Sequence, residues 1–343
     1  MRGKRSELIP DGGHGELALL DRIRRRSARS ASGGLRLGIG DDCAILRQKP
    51  GEELAVTTDL SLAGRHFRLE WHPPESVGHR TLARGLSDIA AMGARPVAAL
   101  LSLGLPKQLA ADARGRGHAW VDRFLDGFLA LADQYQTPLA GGDLAESPLV
   151  VADIVLLGAV PRGKALLRSG ARPGDVVYVT GALGGAAAGL ELLQRRLGRT
   201  LSTARKSEKE QDLLAPHLWP QPRVAQGLWV RRRQAATAAI DLSDGLSTDL
   251  DHLCSESEVS AEIHAEALPI SAGATQDQAL HGGEDYELLF TSPPNFSIPR
   301  GIAGVSVSRI GRIVKKRAGQ PRIILSDASG RHTLSRAGWE HFS

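Results

Sequence analysis

One stretch, Gly38 to Phe67, constrains this chain more than any other, because carboxylates stand at the ends of its short apolar runs. The turn-forming segment Lys49-Pro50-Gly51-Glu52 separates two strand candidates, residues 43–46 and residues 54–56, and this pattern predicts a β-hairpin. The hairpin would bring together the polar groups at one end of both strands, namely Asp41, Asp42, Thr57, Thr58 and Asp59.

The carboxylates of this stretch would repel one another at such short range unless a divalent cation or raised pKa values relieved the charge. Oxygen ligands suit Mg²⁺, which keeps several waters and is commonly completed by substrate phosphates. A solvated acidic turn is the alternative interpretation of an Asp-Asp pair that follows glycine. These residues alone leave both interpretations open.

The composition allows two domain-sized cores and argues against several classes of protein. The 343 residues are 42% hydrophobic, and 43 Lys and Arg against 38 Asp and Glu give a net charge of +5. Basic runs lie far apart and aromatic residues make up 4%, so we expect no nucleic-acid partner. The apolar run 149–160 contains Asp153 and is too short to span a bilayer, so we expect no membrane partner. Cys43 and Cys254 lack metal or disulfide spacing and fit a reducing, cytoplasmic location.

Hydrophobic periodicity predicts alternating helices and strands, which is typical of an α/β fold. A turn-rich segment at 161–174 marks the boundary between two predicted domains, residues 1–162 and 163–343. Helices are expected at 15–26, 72–94, 120–135, 184–195, from 216 to 229 and at 247–253, and strands at 97–105, at 176–180, before residue 243 and after residue 283.

Further carboxylates lie beside small or glycine residues, where a backbone can approach a polar ligand closely. Asp88 stands in an apolar helical segment, where it could cap a turn or face a metal ion, since a buried acid needs a partner. Asp143 follows Gly141-Gly142 at a strand edge, and a tight turn with a solvated Asp is the alternative. Asp241 and Ser243 alternate with apolar residues at a strand end before a helix, a place suited to an anion and a metal.

Two glycine-containing segments resemble nucleotide-binding loops but fail in detail. Gly158 to Lys164 fits the first positions of a Walker A pattern, yet Ala165 stands where Ser or Thr would bind Mg²⁺ and Pro161 lacks an amide. Gly38-Ile39-Gly40 does not continue as a dinucleotide fingerprint. We therefore reject both loops. Arg168, in the boundary segment, could contact a phosphate or be an ordinary surface arginine.

Seven motifs follow one another over nearly the whole chain, in the order GIGDDCAIL, TTDLSLAGRHF, LSDIAAMGA, AGGD, LLRSGARPGD, IDLSDGL and HGGEDYELLF. Taken together, these motifs resemble those of the thiamine-monophosphate kinase family, within the wider aminoimidazole ribonucleotide synthetase-like superfamily. The GRHF and GGEDYEL segments favour the thiamine-phosphate kinases over their relatives. Two departures from the family pattern are Leu144, where threonine is usual, and the segment 61–63.

The resemblance implies ATP-dependent transfer of the γ-phosphate to thiamine monophosphate, assisted by several Mg²⁺ ions and without an assigned general base. It also implies two α/β domains, a C-terminal domain that completes the active site, and a homodimer in which the N-terminal mixed sheets form a barrel. By family position, the ATP-binding residues are Gly142, Arg168 and Ser243, and the acceptor-binding residues are His66, Glu284 and Trp339. The implied metal ligands are Asp42, Thr57, Thr58, Asp59, Asp88, Asp143, Asp241 and Asp244, with Asp41 as a further candidate.

Two other functions are weighed against this one. The first is a sister enzyme that uses ATP to activate an amide or a selenide; against it, Cys43 is expected to pack within an apolar strand rather than to react. The second is a non-catalytic nucleotide sensor, which would need one metal site rather than carboxylate motifs in both halves of the chain.

Overall fold

The computed structural model describes residues 16–27, 34–110, 119–197 and 208–338. The helices are α1 (Glu16–Ser27), α2 (Pro74–Ala91), α3 (Lys107–Ala110), α4 (Trp120–Gln134), α5 (Gly185–Leu197), α6 (Glu208–Leu218), α7 (Val224–Arg232), α8 (Leu246–Glu256) and α9 (Gln276–His281), with a 3-10 turn at Ala265–Ala267. The strands are β1 (Leu35–Leu37), β2 (Ile45–Leu46), β3 (Glu52–Leu62), β4 (Arg95–Leu105), β5 (Leu139–Glu146), β6 (Val151–Pro161), β7 (Val176–Thr180), β8 (Ala238–Leu242), β9 (Ser260–His264), β10 (Glu287–Ser292), β11 (Gly301–Ile302), β12 (Val305–Val314), β13 (Ile323–Asp327) and β14 (Gly330–Thr333).

Two mixed sheets carry most of these strands. The four-stranded sheet has the order β3-β6-β4-β5, and β4 and β5 are parallel. The larger sheet has the order β14-β13-β9-β12-β7-β10-β8, with β11 paired to β12. Its β13 and β9 are parallel, whereas β7, β8 and β12 pair with their neighbours in antiparallel fashion. This mixed α/β architecture confirms the predicted fold class.

The described chain divides into two compact units. Unit 1 comprises the described residues up to Arg47 together with Thr58–Leu82 and Val97–Leu156. Its core includes the fully buried Phe124 and Phe128 of α4. Unit 2 comprises Gln48–Thr57, Ala83–Pro96 and the described residues from Leu157 onward. Side chains of its sheet and of α8 form one cluster that includes Ile240, Leu242, Leu250 and Leu289. Burial of these side chains stabilises each unit and holds the strand ends that carry polar residues.

The predicted hairpin of residues 43–46 and 54–56 is wrong. The turn at Lys49–Glu52 forms, since the amide of Glu52 donates to the carbonyl of Lys49 at 3.2 Å, but it does not join two paired strands. Instead β2 pairs with β1, and the sheet neighbour of β3 is β6. The physical reason is length: β3 and β6 each have 11 residues and β2 has 2, so β6 offers β3 a far longer hydrogen-bonded ladder.

Other local predictions fare differently. Helices α1, α2, α4, α5 and α8 confirm five of the helix predictions, and β4, β7, β8 and β10 confirm the four strand predictions. The helix expected from Pro216 to Trp229 is wrong, because α6 ends at Leu218 and α7 begins at Val224. Pro220 and Pro222 interrupt the helix, since neither can donate a backbone hydrogen bond.

The segment with the Walker A pattern is a strand end rather than a phosphate loop. Its residues up to Pro161 belong to β6, and the next element is β7 at Val176. A phosphate loop must lead into a helix N-terminus, so the rejection is confirmed. Among the described helices, none combines the length and the apolar character needed to cross a membrane.

Candidate active site

In unit 1, one cavity is lined by four of the predicted metal-binding and ATP-binding residues. It has a volume of about 1120 Å³, and its wall includes apolar side chains of α1, β4 and β5. The basic side chain among its lining residues is Arg24 of α1. The predicted residues that line it are Asp41, Asp42, Gly142 and Asp143. These four residues therefore line one cavity, although the predicted hairpin that was expected to bring carboxylates together does not form.

Backbone geometry positions these carboxylates. Parallel pairing of β4 with β5 sets Asp143 opposite Ser102. Asp143 Oδ1 accepts a hydrogen bond from the amide of Leu144 at 2.9 Å, and Asp41 Oδ1 accepts one from the amide of Asp42 at 2.9 Å. Local bonds of this kind orient a short carboxylate and leave its second oxygen able to bind a ligand.

Cys43 does not pack in a strand, which corrects the sequence-based expectation. It precedes β2, is exposed, and lines the same cavity as Asp41 and Asp42. The apolar run was too short to form a strand from Cys43 onward, because β2 covers only Ile45–Leu46. A thiol therefore stands at the cavity wall, where its reactivity can be tested.

Strand β3 separates its hydroxyl and carboxylate side chains onto two faces. Thr57 and Asp59 are half-buried and share one face, whereas Thr58 is exposed on the other. Thr58 could therefore bind a ligand on the Thr57 face only through its backbone. Thr58, Asp59 and His66 are not among the residues that line the unit 1 cavity.

His66 lies in a tight turn that ends β3. Its Nδ1 accepts a hydrogen bond from the amide of Leu62 at 3.1 Å, and its own amide donates to the carbonyl of Leu62 at 3.0 Å. A neutral imidazole that accepts at Nδ1 carries its proton on Nε2. In this neutral form, Nε2 is the ring nitrogen of His66 that can donate a hydrogen bond.

In unit 2, the carboxylates of Asp88 and Asp241 lie close enough to influence each other. Thr57 Oγ1 donates a hydrogen bond to Asp88, and Ser87 Oγ donates to Asp241 Oδ2 at 2.7 Å. Burial raises the pKa of Asp241 to about 7, the negative charge of Asp88 adds to the rise, and the charge of Arg168 opposes it. Burial also raises the pKa of Asp88, against the hydrogen bond from Thr57 and the charge of Arg168. Two buried carboxyl groups whose pKa values are raised in this way are typical of a functional site.

The loop Ser243–Gly245, which carries two predicted ligands, depends on a residue that the sequence reasoning missed. Asp249 is buried in the first turn of α8, and its Oδ2 accepts hydrogen bonds from the amides of Ser243, Asp244 and Gly245 at 3.0–3.1 Å. Burial raises the pKa of Asp249 well above its usual value, and the charges of Asp241 and Asp244 add to the rise. An acidic residue in the first turn of a predicted helix was the available signal.

Glu284 lies beside the same loop. Its amide donates to the carbonyl of Ser243 at 2.8 Å, and the amide of Tyr286 donates to the carbonyl of Leu242 at 2.8 Å. Both residues have left-handed backbones, with φ of 67° at Glu284 and 50° at Tyr286. Strain of this kind persists only where surrounding contacts impose it, and it is common at ligand sites. Buried His217 approaches the Glu284 carboxylate, with Nδ1 at 3.6 Å from Oε2.

Two further predicted residues are Arg168 and Trp339. Arg168 is exposed and lies near enough to Asp88 and Asp241 to lower the pKa of each. Trp339 lies outside the described residues. Within the described ranges, no three or more His, Cys, Asp or Glu side chains converge as a ready-made metal site. The assembled groups are therefore carboxylate and hydroxyl pairs rather than a closed metal cage.

Both halves of the chain match the AIR synthase related proteins. Their N-terminal domain family matches residues 40–160, and their C-terminal domain family matches residues 172–324.

Individual proteins and structures that resemble the chain identify its family within this class. The thiamine-monophosphate kinase of Escherichia coli (strain K12) is 40% identical over 305 residues, which cover 87% of each chain. The crystal structure of thiamine-monophosphate kinase from Stenotrophomonas maltophilia K279a aligns with a TM-score of 0.76 at 38% identity, over 91% of this chain and 96% of that one. AaThiL complexed with AMPPCP and TMP aligns with a TM-score of 0.72 at 31% identity, over 98% of this chain and 100% of that one. The chain belongs to the thiamine-monophosphate kinase family.

Proposed function

We propose that this protein transfers the γ-phosphate of ATP to thiamine monophosphate and produces thiamine diphosphate and ADP. Family membership supports the reaction, and so does the similarity to AaThiL, which is complexed with AMPPCP, an ATP analogue, and TMP. The observation that carries the proposal is the grouping of buried carboxylates and hydroxyls around Asp88 and Asp241, which suits the handling of phosphates with Mg²⁺.

The donor set fits Mg²⁺ as the cation of this reaction. Every candidate ligand supplies oxygen, and Mg²⁺ is usually bound by one or two carboxylates with waters and substrate phosphates in the other positions. Bound there, the cation would neutralise charge on the phosphates. Several such ions are assigned to Asp42, Thr57, Thr58, Asp59, Asp88, Asp143, Asp241 and Asp244, with Asp41 as a further candidate.

The reaction needs positioning more than base catalysis. A phosphate oxygen of thiamine monophosphate is already anionic at neutral pH, so it needs no strong base before it attacks the γ-phosphorus. A new P–O bond forms there, while the bond to the β,γ-bridging oxygen breaks and ADP leaves with the electron pair. Arg168, Gly142 and Ser243 are assigned to orient ATP, and His66, Glu284 and Trp339 are assigned to orient the acceptor. Such orientation lowers the barrier by holding the attacking and leaving oxygens in line.

A direct assay tests this function. Purified protein with ATP, Mg²⁺ and thiamine monophosphate should yield thiamine diphosphate and ADP in equal amounts, separated by chromatography. ATP hydrolysis without thiamine diphosphate would contradict the proposal, and ATP binding without turnover would favour a sensor.

Cys43 tests the sister-enzyme alternative. Because the proposed transfer requires no thiol, Cys43→Ser should leave the turnover within about twofold of the unchanged protein, the range expected of a surface substitution. The buried Cys254 serves as the contrast, since its change to Ser should lower the thermal midpoint without a specific effect on turnover. A loss of turnover only in Cys43→Ser would indicate a covalent role for the thiol.

The assignment of His66 predicts a selective defect. His66→Ala should raise KM for thiamine monophosphate about tenfold, the value of one charge-assisted hydrogen bond, and leave KM for ATP nearly unchanged. Steady-state kinetics with each substrate varied in turn would measure both constants. His332→Ala, in the exposed strand β14, is the matched control. Equal increases in both KM values would refute the acceptor role.

We also propose a homodimer that forms through the four-stranded sheet. One face of β3 exposes Leu54, Val56 and Leu60 to solvent by 45%, 59% and 45%. Adjacent apolar side chains of this kind favour association. Val56→Asp should therefore convert the dimer to a monomer in size-exclusion chromatography with light scattering, whereas Leu167→Asp, at an exposed leucine outside β3, should not. A monomeric unchanged protein would contradict the proposal.

Two further assignments accompany the function. We place the domain boundary between residues 162 and 163, supported by the gap between the family matches at 160 and 172. We place the protein in the cytoplasm, where thiols such as those of Cys43 and Cys254 stay reduced.

A further inference from the structure

The segment Leu334–Gly338, near the end of the described chain, is held in place by contacts of two of its residues, Leu334 and Arg336. Leu334 is buried in the unit 2 core, and its amide donates to the carbonyl of Ile323 at 3.0 Å. The Arg336 guanidinium contacts the carboxylate of Asp251 on α8, which also accepts a hydrogen bond from Arg322 Nη1 at 2.7 Å. Asp251 is thus held between two arginines, and the segment is fastened to the surface of α8.

Gly338 makes the closest approach of this segment to the site. Its amide donates to Thr248 Oγ1 at 3.2 Å. A Cβ placed on Gly338 would lie 2.1 Å from the carbonyl oxygen of Asp244 and 2.5 Å from Thr248 Oγ1. Gly338 is not among the residues with positive φ, so alanine would be tolerated by the backbone but not by the available space.

We infer that Leu334–Gly338 is a positioning element for the loop Ser243–Gly245. Asp249 ties the amides of that loop, and Gly338 packs against the carbonyl of Asp244. Two separate parts of the chain therefore hold the loop: Asp249 binds its backbone N–H groups, and Gly338 lies against one of its carbonyl groups. The inference rests on the proposed function, which assigns Ser243 to ATP and Asp244 to Mg²⁺. That assignment includes no residue of Leu334–Gly338, so the segment would affect substrate binding only by positioning the loop.

Hydrogen exchange of the ligand-free protein tests the inference without any requirement for activity. In Gly338→Ala, the added methyl group should displace the loop, so the peptide that spans residues 240–250 should exchange at least about tenfold faster, while peptides of β7 and β12 keep their rates. Arg336→Ala should act in the same direction with a smaller effect, because Arg322 still holds Asp251.

Matched controls are available for both changes. Gly301→Ala adds a methyl group that meets only the carbonyl of Val305, at 3.5 Å, and Arg331→Ala removes a surface arginine that contacts Glu262. Neither should alter exchange in residues 240–250. Wild-type exchange of that peptide in Gly338→Ala, or faster exchange across the whole chain, would overturn the inference.

Kinetics supply the second readout. Gly338→Ala should raise KM for ATP and the Mg²⁺ concentration for half-maximal rate about tenfold, as expected when a support of a ligand loop is lost. Unchanged ATP and Mg²⁺ constants would overturn the positioning role even if exchange increased. If the unchanged protein has no kinase activity, the proposed function fails, and calorimetric binding of AMPPCP to the same variants decides the positioning role.

Discussion

Replacing Asp241 with asparagine should reduce turnover by about 100-fold or more and, at the same time, make the metal-free protein more stable above neutral pH. The loss of turnover follows from the proposed metal role, because the amide keeps the shape of the carboxylate but loses the charge that binds Mg²⁺. The carbonyl oxygen of the new amide can still accept the hydrogen bond from Ser87 Oγ, so the local packing should survive. A rise in stability with a loss of activity is the signature of a residue retained for function.

The pH dependence of stability makes this prediction sharper. Asp241 titrates near 3.8 in the unfolded chain and at about 7 in the folded protein. The folded state therefore binds the proton more tightly, so stability falls as the pH rises through that window. Asparagine removes this contribution, and it also removes one of the two charges that add to the rise which burial causes in the pKa of Asp249. The fall in stability between about pH 4 and pH 7 should become shallower.

Urea unfolding at several pH values in the presence of a chelator would measure this effect. Asp327→Asn, at the last residue of β13, is the matched control, because hydrogen bonds from Ser329 lower the pKa of Asp327. The same substitution there should not raise stability at pH 8 and should leave turnover unchanged. A stability profile of Asp241→Asn that matched the unchanged protein would show that the buried carboxylates are not under electrostatic strain.

Gly142→Ala should destabilise the protein by about 3–5 kcal/mol and abolish ATP binding, whereas Gly141→Ala should cost about 1 kcal/mol or less. A Cβ on Gly142 would lie 1.8 Å from the carbonyl oxygen of Leu101, and the backbone φ of 151° disfavours a side chain as well. Since Leu101 belongs to β4, the parallel ladder between β4 and β5 would have to open. Asp143, the next residue, would move away from the cavity.

The neighbouring glycine provides the control within the same strand. A Cβ on Gly141 would lie 3.1 Å from Leu100 Cδ2, the end of a flexible side chain that can move aside. Both substitutions add one methyl group to adjacent residues of β5, so their comparison isolates the effect of the close approach to β4. Chemical unfolding and calorimetric titration with AMPPCP would measure stability and binding. Similar losses of stability and of AMPPCP binding in Gly141→Ala and Gly142→Ala would refute the role assigned to the close approach of Gly142 to β4.

Local sequence patterns were sufficient to predict those features of the structure that depend on immediate neighbours in the chain. Helical periodicity located α4 and the strand pattern located β7, because the apolar face of each is set by 3.6- or 2-residue spacing. Glycine next to aspartate indicated Gly142 and Asp143, and they do line a cavity with Asp41 and Asp42. Such turns are local, so they can be seen without knowledge of the fold.

Pairing between distant segments could not be seen in the same way. The partner of β3 proved to be β6, roughly 100 residues later in the chain, because a long strand gains more from an equally long partner than from a nearby short one. Asp249 was missed because an acid in a first helical turn usually has an ordinary capping role. Its three amide partners become apparent only when the loop before α8 folds back over it.

By itself, the sequence determined which residue types this protein places at its turns and strand ends, since composition and spacing along the chain are local properties. Only the tertiary structure decided which of them meet: Ser87 with Asp241, Thr57 with Asp88, and Gly338 with the carbonyl of Asp244. These contacts join segments up to 154 residues apart, and burial of unit cores rather than any local preference brings such segments together.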